Sequence, residues 1–190
     1  MYKLIILKDL RNKGKLKKIW YKEKYFHRKN GPAICTHEKK QWYLLGKLHR
    51  DNDLPAYDSI HRKQWHIHGM LHRENDLPAV EYVNGDKQWW YQGKRHRIGN
   101  PAIVYKNDDL EDEYWENDIN YKIVEYPNGT KEWLAWNNFL HRDNFPAVIY
   151  PNGDYEWWVE GLRHRIGGPA VIIGDKQYFF EAGEFVKCIV

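Results

Sequence analysis

Short aromatic and β-branched runs alternate with turn residues along almost the whole chain. In residues 72–95, Pro-Ala leads into the run Val-Glu-Tyr at 80–82, Asn-Gly follows at 84–85, and a Trp pair stands at 89–90. Short runs of this kind separated by Asn-Gly are typical of β-hairpins. Apolar residues do not recur with helical spacing. The pattern therefore predicts an all-β protein built from antiparallel hairpins.

The hairpin pattern is repeated along the chain. The dipeptide His-Arg occurs seven times, and six of these occurrences, at steps of 22, 23, 24, 45 and 23 residues, are each followed by Pro-Ala. We call these six the His-Arg pairs; the seventh, His61-Arg62, is followed by Lys-Gln-Trp instead. The long step spans two units, with Tyr121-Lys122 at the position of the missing pair. A lone hairpin cannot bury its aromatic face, whereas hairpins in series can stack. We expect about seven tandem β-hairpin repeats of about 23 residues, forming an elongated, twisted antiparallel array.

The residues at a second turn position in each unit predict a backbone conformation with positive φ. It is occupied only by Gly, Asn or Asp, the residues that best tolerate positive φ. Its members are Gly46, Gly69, Gly93, Asp118, Asn138, Gly161 and Gly183. We expect all seven to adopt left-handed backbone conformations.

Charge divides the chain into regions. Residues 1–30 carry 11 Lys or Arg against 2 acids, and the remaining 160 carry 19 against 24. We predict a basic N-terminal capping hairpin over 1–26 and a repeat domain over 27–190, with a degenerate acidic unit at about 107–126. Lysines concentrate near the tip of the capping hairpin, at Lys13, Lys15, Lys17 and Lys18. They suit an anionic surface, and equally a strand edge that lysines protect from aggregation.

The His-Arg pairs are the main candidate chemistry, and two interpretations stay open. In the first, they bind phosphates or carboxylates, which arginine forks hold in a bidentate manner. The candidate ligands are Arg28, Arg50, Arg73, Arg97, Arg142, Arg165, His49, His72 and His96. In the second, each histidine bonds a backbone carbonyl near the turn, and each arginine stacks on a tryptophan of a neighbouring unit. Catalysis is not expected, because six equivalent places do not make one asymmetric site.

Other residues suggest binding rather than chemistry. Trp90 and Trp158 are candidate contacts for a partner, because aromatic residues left exposed become hot spots of binding. The acidic segment is either a solvated bulge or a docking site for a basic surface. Stacking of single-stranded nucleic acid is disfavoured, because the aromatics are needed for a core.

His66 and His68, two apart on a predicted strand, face one side but lack the further ligands of a metal site, and we expect no metal or cofactor.

Composition narrows the setting. Aromatic residues make up 16% of the chain and charged residues 29%, and a disordered chain is poor in aromatics. The first apolar run is too short for a signal peptide or a membrane helix. Cys35 and Cys188 form no metal-spaced pair, so a reducing cytoplasm is the expected compartment.

The repeat resembles MORN-type repeats, in particular a divergent variant found in phage and giant-virus proteins. The matching stretches are GKLHR at 46–50, GKRHR at 93–97 and RIGGPA at 165–170. The resemblance covers about residues 20–185 and implies that the chain is a non-enzymatic scaffold for a protein partner. In this interpretation the chain is a phage or viral protein that engages a host factor in the host cytoplasm. The resemblance also implies dimerisation and, for some members of the family, binding of anionic lipid headgroups. The alternative is a sequestering protein that binds a small anionic ligand such as a nucleotide, as a counter-defence factor.

Overall fold

The computed structural model describes residues 1–9 and 14–190 of the chain. Lys13, one of the predicted tip lysines, lies outside the described residues. The chain divides into two compact units, residues 1–112 and 113–190. The division falls inside the acidic segment at about 107–126.

The first unit is built from sixteen described strands, most of them two or three residues long. They are β1 (Tyr2–Asp9), β2 (Lys15–Lys22), β3 (Tyr25–Phe26), β4 (Ile34–Cys35), β5 (Lys39–Gln41), β6 (Tyr43–Leu44), β7 (Lys47–Leu48), β8 (Tyr57–Ser59), β9 (Arg62–Gln64), β10 (His66–Ile67), β11 (Met70–Leu71), β12 (Val80–Tyr82), β13 (Lys87–Gln88), β14 (Trp90–Tyr91), β15 (Lys94–Arg95) and β16 (Ile103–Val104). Ten form one antiparallel sheet in the order β1-β2-β4-β5-β8-β9-β12-β13-β16, with β3 paired to β2. The others form three separate hairpins, β6–β7, β10–β11 and β14–β15.

The second unit follows the same plan. Its strands are β17 (Tyr114–Glu116), β18 (Ile119–Glu125), β19 (Lys131–Leu134), β20 (Val148–Ile149), β21 (Tyr155–Glu156), β22 (Trp158–Val159), β23 (Leu162–Arg163), β24 (Val171–Ile173), β25 (Lys176–Glu181) and β26 (Glu184–Ile189). Eight form an antiparallel sheet in the order β17-β18-β19-β20-β21-β24-β25-β26, and β22–β23 is a separate hairpin. A short 3-10 turn spans Trp136–Asn138. The predicted all-β class and antiparallel hairpins are confirmed.

No helix among the described residues has the length and apolar character needed to cross a bilayer.

A complete repeat contains four short strands, whereas the sequence predicts two. In residues 72–95, β12 and β13 belong to the main sheet, while β14 and β15 pair only with each other. The predicted aromatic strand is interrupted at Trp89. The Trp89 N–H donates to the carbonyl of Ala102 (2.8 Å), and the Trp89 carbonyl accepts from the N–H of His96 (3.2 Å). Because Trp89 bonds to a residue on each side in this way, the chain leaves the main sheet there and continues as a side hairpin.

In the core, the alanine of each Pro-Ala pair is bonded to a tryptophan. The alanine of every Pro-Ala pair is 0% exposed, at Ala33, Ala56, Ala79, Ala102, Ala147 and Ala170. Each of these alanine carbonyls accepts a backbone N–H from a tryptophan, at 2.7 to 2.9 Å. The tryptophans are Trp20, Trp42, Trp65, Trp89, Trp133 and Trp157. The repeat therefore keeps a fully buried alanine where a sheet strand begins, and a larger side chain there would need space that a close-packed core does not offer.

The predicted left-handed turns are confirmed. All seven positions of the second turn column have positive φ, from 58° at Asn138 to 93° at Gly69. The residue before each of them also has positive φ, between 47° and 56°. Two successive positive φ values are the signature of a type I′ turn, which matches the twist of a two-residue hairpin.

Replacing a turn glycine tests this backbone requirement. We expect Gly93→Ala to lower the free energy of unfolding by about 1–2 kcal/mol, since φ there is +84° and a Cβ is disfavoured in that region. The nearest atom to an added Cβ is the Met70 Cβ, at 3.6 Å, so the effect comes from the backbone rather than from a clash. Denaturant unfolding measures it. Asn138→Gly is the control and should change stability little. Unchanged stability of Gly93→Ala would contradict the turn assignment.

Candidate functional site

Every arginine of the His-Arg pairs lies flat over a tryptophan. The guanidinium carbon is 3.6 to 4.1 Å from the centre of the indole ring in all six cases. The pairs are Arg28–Trp20, Arg50–Trp42, Arg73–Trp65, Arg97–Trp89, Arg142–Trp133 and Arg165–Trp157. In the last hairpin, Lys187 stands over Phe179 at 4.7 Å and makes a similar cation–π contact. These contacts match the packing interpretation of the sequence.

A second contact ties five of the six stacked arginines to their own loops. The Nη1 group donates to the carbonyl of the proline in the following Pro-Ala pair. The donor–acceptor distance lies between 3.2 and 3.5 Å in Arg50, Arg73, Arg97, Arg142 and Arg165. The guanidinium therefore fastens the loop onto the tryptophan, a structural task that uses one face and one nitrogen.

The six arginines fall into two groups according to whether the remaining Nε–Nη2 side of the guanidinium binds a carboxylate. In three of them it holds a carboxylate in a bidentate pair with distances of 2.7 to 3.1 Å. The pairs are Arg73–Asp53, Arg97–Asp76 and Arg142–Glu116. None of the three acids was predicted from the sequence as a partner of these arginines. A usable signal existed for two of them, because Asp53 and Asp76 occur only in the longer loops that read Asn-Asp-Leu-Pro.

In the other three arginines no carboxylate occupies that side. Among the described residues, Arg50 and Arg165 make side-chain hydrogen bonds only to their proline carbonyls, and Arg28 makes none. Burial lowers the pKa of the Arg50 guanidinium, and the nearby charge of Asp58 only partly offsets it. Burial also acts on Arg73, but the hydrogen bonds and charges of Asp53 and Glu81 raise its pKa above the ordinary value. Arg50 is therefore a partly desolvated cation without a counter-ion in hydrogen-bond contact.

The histidines of the His-Arg pairs connect the two ends of one repeat through an acceptor nitrogen. In five of them Nδ1 accepts a backbone N–H from the type I′ turn at the end of the same repeat, at 3.1 to 3.3 Å. The pairs are His27–Leu45, His49–His68, His72–Gln92, His141–Glu160 and His164–Ala182. The predicted bond to a backbone carbonyl is thus wrong, because the imidazole meets a turn whose amide N–H groups point outwards. In these five, Nε2 carries the ring proton.

The three histidines proposed as ligands are differently placed. His72 is buried, and its Nε2 lies 2.8 Å from Glu74. His49 Nε2 lies 3.1 Å from Asp51, and the ring stacks on His68 at 4.6 Å. The ring of His96 tilts against Tyr91 at 5.9 Å. His49 and His72 therefore already use both ring nitrogens in contacts within the protein.

His66 and His68 do not share a strand face as predicted. His66 belongs to β10 and is buried, whereas His68 lies in the type I′ turn with φ of 49°. Nowhere in residues 1–9 or 14–190 do three or more His, Cys, Asp or Glu side chains form a group suited to a metal ion.

Burial gives two histidines a pH-dependent effect on stability. Burial lowers the pKa of His66 from 6.5, and the bond to the Gly69 carbonyl only partly opposes this. Burial also lowers the pKa of His27, and the charge of Lys22 lowers it further. Both rings therefore stay neutral to a lower pH in the folded protein than in the unfolded chain, which takes up protons near pH 6.5. Their stabilising contribution is therefore complete above pH 6.5 and is lost as the pH falls through that value towards the lowered pKa.

Removing the His66 imidazole should reduce this acid sensitivity. The corresponding residues of neighbouring units are Tyr43 and Trp90, so we choose His66→Tyr as a replacement that the repeat already uses. We expect the melting temperature of the parent protein to fall between pH 7 and pH 5, and that of His66→Tyr to fall less. His61→Gln, which removes an exposed imidazole, is the control. An unchanged pH profile in His66→Tyr would show that burial of this ring is not what makes the protein acid-sensitive.

The two candidate tryptophans lie on the side hairpins and are half-buried. Trp90 donates its indole N–H to Gln88 at 3.1 Å, and Trp158 donates to Glu156 at 2.9 Å. Glu156 is buried and also accepts from Tyr150 and Arg163. Both rings therefore keep part of their surface exposed while their polar atoms bond within the protein.

The basic and acidic segments are placed as follows. Lys15 and Lys18 are exposed on β2, and Lys17 is half-buried. The acidic stretch 107–112 is exposed. Glu116 is not part of a solvated bulge, since it is buried against Arg142. The strand β17 places it there, opposite the guanidinium.

Two strands at the margins of the sheets expose apolar residues. All six residues of β26 are exposed, and Phe185 keeps 59% of its surface open to solvent. β26 is the last strand of its sheet and pairs only with β25. β1 is similarly the first strand of its sheet and exposes Leu4 and Ile6. The outer backbone groups of β26 have no partner strand within the described residues.

A groove in the second unit combines cations with aromatic rings. Its volume is about 410 Å³, and its walls include Arg165, Phe179, Phe180 and Lys187. A further groove of about 210 Å³ in the first unit lies beside Arg50 and Arg73.

No protein-family model matches the chain, and no curated protein matches it at a significant level. The resemblance to MORN-type repeats therefore stays a prediction from the residues quoted above.

Proposed function

We propose that this chain is a non-enzymatic scaffold that binds a protein partner through the outer edge of β26. The observation that carries the proposal is the exposure of all six residues of that strand on an unpaired sheet edge. Unpaired strand N–H and C=O groups are a template for a further strand. The exposed side chains of Phe185, Val186 and Ile189 supply apolar contacts for its alternate residues.

The repeated polar residues support a structural rather than a catalytic use. Within the described residues, all six arginines of the His-Arg pairs stack on a tryptophan, and five of the six histidines accept a turn N–H. A catalytic site instead requires one asymmetric arrangement of a nucleophile, a base and an orienting group. The residues that vary between units lie instead in the loops and at the sheet margins, where a partner binds.

The setting that we propose is a reducing cytoplasm, that of the host if the resemblance to phage and giant-virus proteins reflects a viral origin. Support comes from Cys35 and Cys188, which are both free thiols. Self-association through the same edge strand is the simplest alternative to a foreign partner.

A photo-crosslinker placed on β26 tests the proposal. We expect benzoylphenylalanine at position 185 to form a defined covalent adduct with one protein in cells that express the chain. The same group at the exposed Val83 should form none. Val186→Lys should weaken the adduct without lowering the melting temperature. Equal labelling from positions 185 and 83 would contradict an interface at β26.

A second candidate function rests on the groove of about 410 Å³. The cations Arg165 and Lys187 beside two phenylalanine rings suit a small anionic ligand with a flat ring, such as a nucleotide. If this function holds, nucleotides raise the melting temperature of the protein, and Lys187→Gln removes the increase while Lys176→Gln retains it. No increase with any nucleotide would exclude this candidate.

A further inference from the structure

Two places in the first unit hold an aspartate residue in the same way. At each place a tryptophan indole N–H and the Nε–Nη2 side of an arginine point to one aspartate, and we call this set of donors the Trp–Arg cradle. Trp65 donates to the main-chain carbonyl of Asp53 at 3.0 Å, and Arg73 binds the Asp53 carboxylate at 2.8 and 2.9 Å. Trp89 and Arg97 bind Asp76 in the same manner, at 2.9 Å for the carbonyl and 2.8 Å for both carboxylate bonds. The cradle therefore recognises both the main chain and the side chain of one aspartate.

The same donors occur at Trp42 and Arg50 without an aspartate. The preceding loop reads Lys-Asn-Gly at 29–31, one residue shorter than the Asp-Asn-Asp-Leu loop at 51–54. Across the described part of the chain, neither the indole N–H of Trp42 nor Arg50 Nε or Nη2 has a hydrogen-bond partner. Arg50 nevertheless keeps its stack on Trp42 at 3.9 Å and its bond to the Pro55 carbonyl at 3.2 Å. The cradle is thus preformed, and only its occupant is missing.

An occupant from outside can reach such a cradle. In the two occupied examples the bound aspartate side chains remain 53% and 58% exposed, so the carboxylate position lies at the protein surface. A carboxylate that binds Arg50 therefore keeps contact with water.

We infer that Trp42 and Arg50 bind an aspartate residue presented on a turn of the protein partner, in the way that the neighbouring cradles bind Asp53 and Asp76. The inference rests on the proposed scaffold function and names one chemical feature of its partner. Trp157 and Arg165 form a second cradle of this kind in the other unit. There, too, neither the indole N–H nor Arg165 Nε or Nη2 has a described partner.

A model compound tests the cradle without any partner. N-acetyl-aspartate N-methylamide carries the carbonyl and the carboxylate that the cradle recognises. In ¹⁵N-labelled protein, we expect it to shift the side-chain N–H signals of Trp42 and Arg50, and those of Trp157 and Arg165, while the signals of the filled cradles stay in place. The asparagine analogue should have little effect. Absence of these shifts, equal shifts with the asparagine analogue, or tighter binding of inorganic phosphate than of the aspartate compound would each overturn the inference.

A loop exchange tests the cradle in the whole protein. Replacing Lys29-Asn30-Gly31 with Asp-Asn-Asp-Leu, the sequence of residues 51–54, should supply an internal aspartate to Arg50. We expect this variant to melt at a higher temperature than the parent, to lose the shifts at Trp42 and Arg50, and to retain those at Trp157 and Arg165. We also expect it to bind the partner crosslinked at β26 at least about tenfold more weakly, the size of one charge-assisted pair. Failure of the proposed scaffold function would appear as absence of that partner, with the model compound still binding. Unchanged shifts at Trp42 and Arg50 in the variant would overturn the inference even if the partner is real.

Discussion

Arg142→Met should lower the free energy of unfolding by about 3–5 kcal/mol, among the largest effects of any single substitution in this protein. The guanidinium of Arg142 is 4% exposed and forms a bidentate pair with Glu116, which is 5% exposed. Removing the cation leaves a buried carboxylate without its counter-ion, which is strongly destabilising. Denaturant unfolding monitored by tryptophan fluorescence measures the change.

Two companion variants separate the ion pair from the stacking. Arg50→Met removes a similar stack on tryptophan and the bond to a proline carbonyl, but it strands no buried acid, so we expect a loss of about 1–2 kcal/mol. The double variant Arg142→Met with Glu116→Met should recover most of the stability, because neither charge then remains buried. If Arg142→Met lowers the unfolding free energy no more than Arg50→Met does, pairing of Glu116 with Arg142 is not what stabilises the fold at this position.

Trp89→Ala should be destabilising to a comparable extent, by about 3–5 kcal/mol. Trp89 is 8% exposed, and its ring lies under the Arg97 guanidinium. Its indole N–H also holds the Asp76 carbonyl at 2.9 Å. Truncation therefore opens a cavity and releases the loop that carries Asp76.

The adjacent tryptophan provides the control for this substitution. Trp90 is half-buried on the side hairpin, so we expect Trp90→Ala to cost only about 1–2 kcal/mol, in line with partial burial. Thermal and denaturant unfolding of the two variants, compared side by side, measure the difference. Equal losses of unfolding free energy in the two variants would contradict the assignment of Trp89 to the core and Trp90 to the periphery.

The local backbone could be predicted from sequence because single residues determine it. Gly, Asn and Asp at the second turn position tolerate positive φ, and all seven turns have it. The Pro-Ala pairs precede the short apolar runs of the sequence, and β4 begins directly after Ala33. The division of each aromatic run into two strands could not be predicted. It depends on the hydrogen bonds of Trp89 to Ala102 and His96, and β-propensity does not encode such bonds.

The candidate site was predicted only in part, for a similar reason. The stacking of arginine on tryptophan was among the interpretations of the sequence, and it is present six times. Which arginines also hold a carboxylate depends on loop length and on a partner 20 to 26 residues away. Glu116 was grouped with solvated acids because charge density in a sequence does not show which acid faces inward. Loop length was the available signal, since the segment between Arg and Pro has four residues in the two loops that supply Asp53 and Asp76 and three in the other loops.

The central claim is that the arginines of the His-Arg pairs are packing elements of the repeat rather than a free ladder of surface cations. The triple variant Arg50→Gln, Arg73→Gln and Arg97→Gln tests it against Lys63→Gln, Lys87→Gln and Lys94→Gln, which removes the same charge from three exposed lysines of the same unit. We predict that the arginine variant loses about 4–6 kcal/mol of unfolding free energy, from lost stacking and charge-assisted hydrogen bonds, and that the lysine variant loses at most about 1 kcal/mol. Equal unfolding midpoints for the two triple variants would contradict the claim.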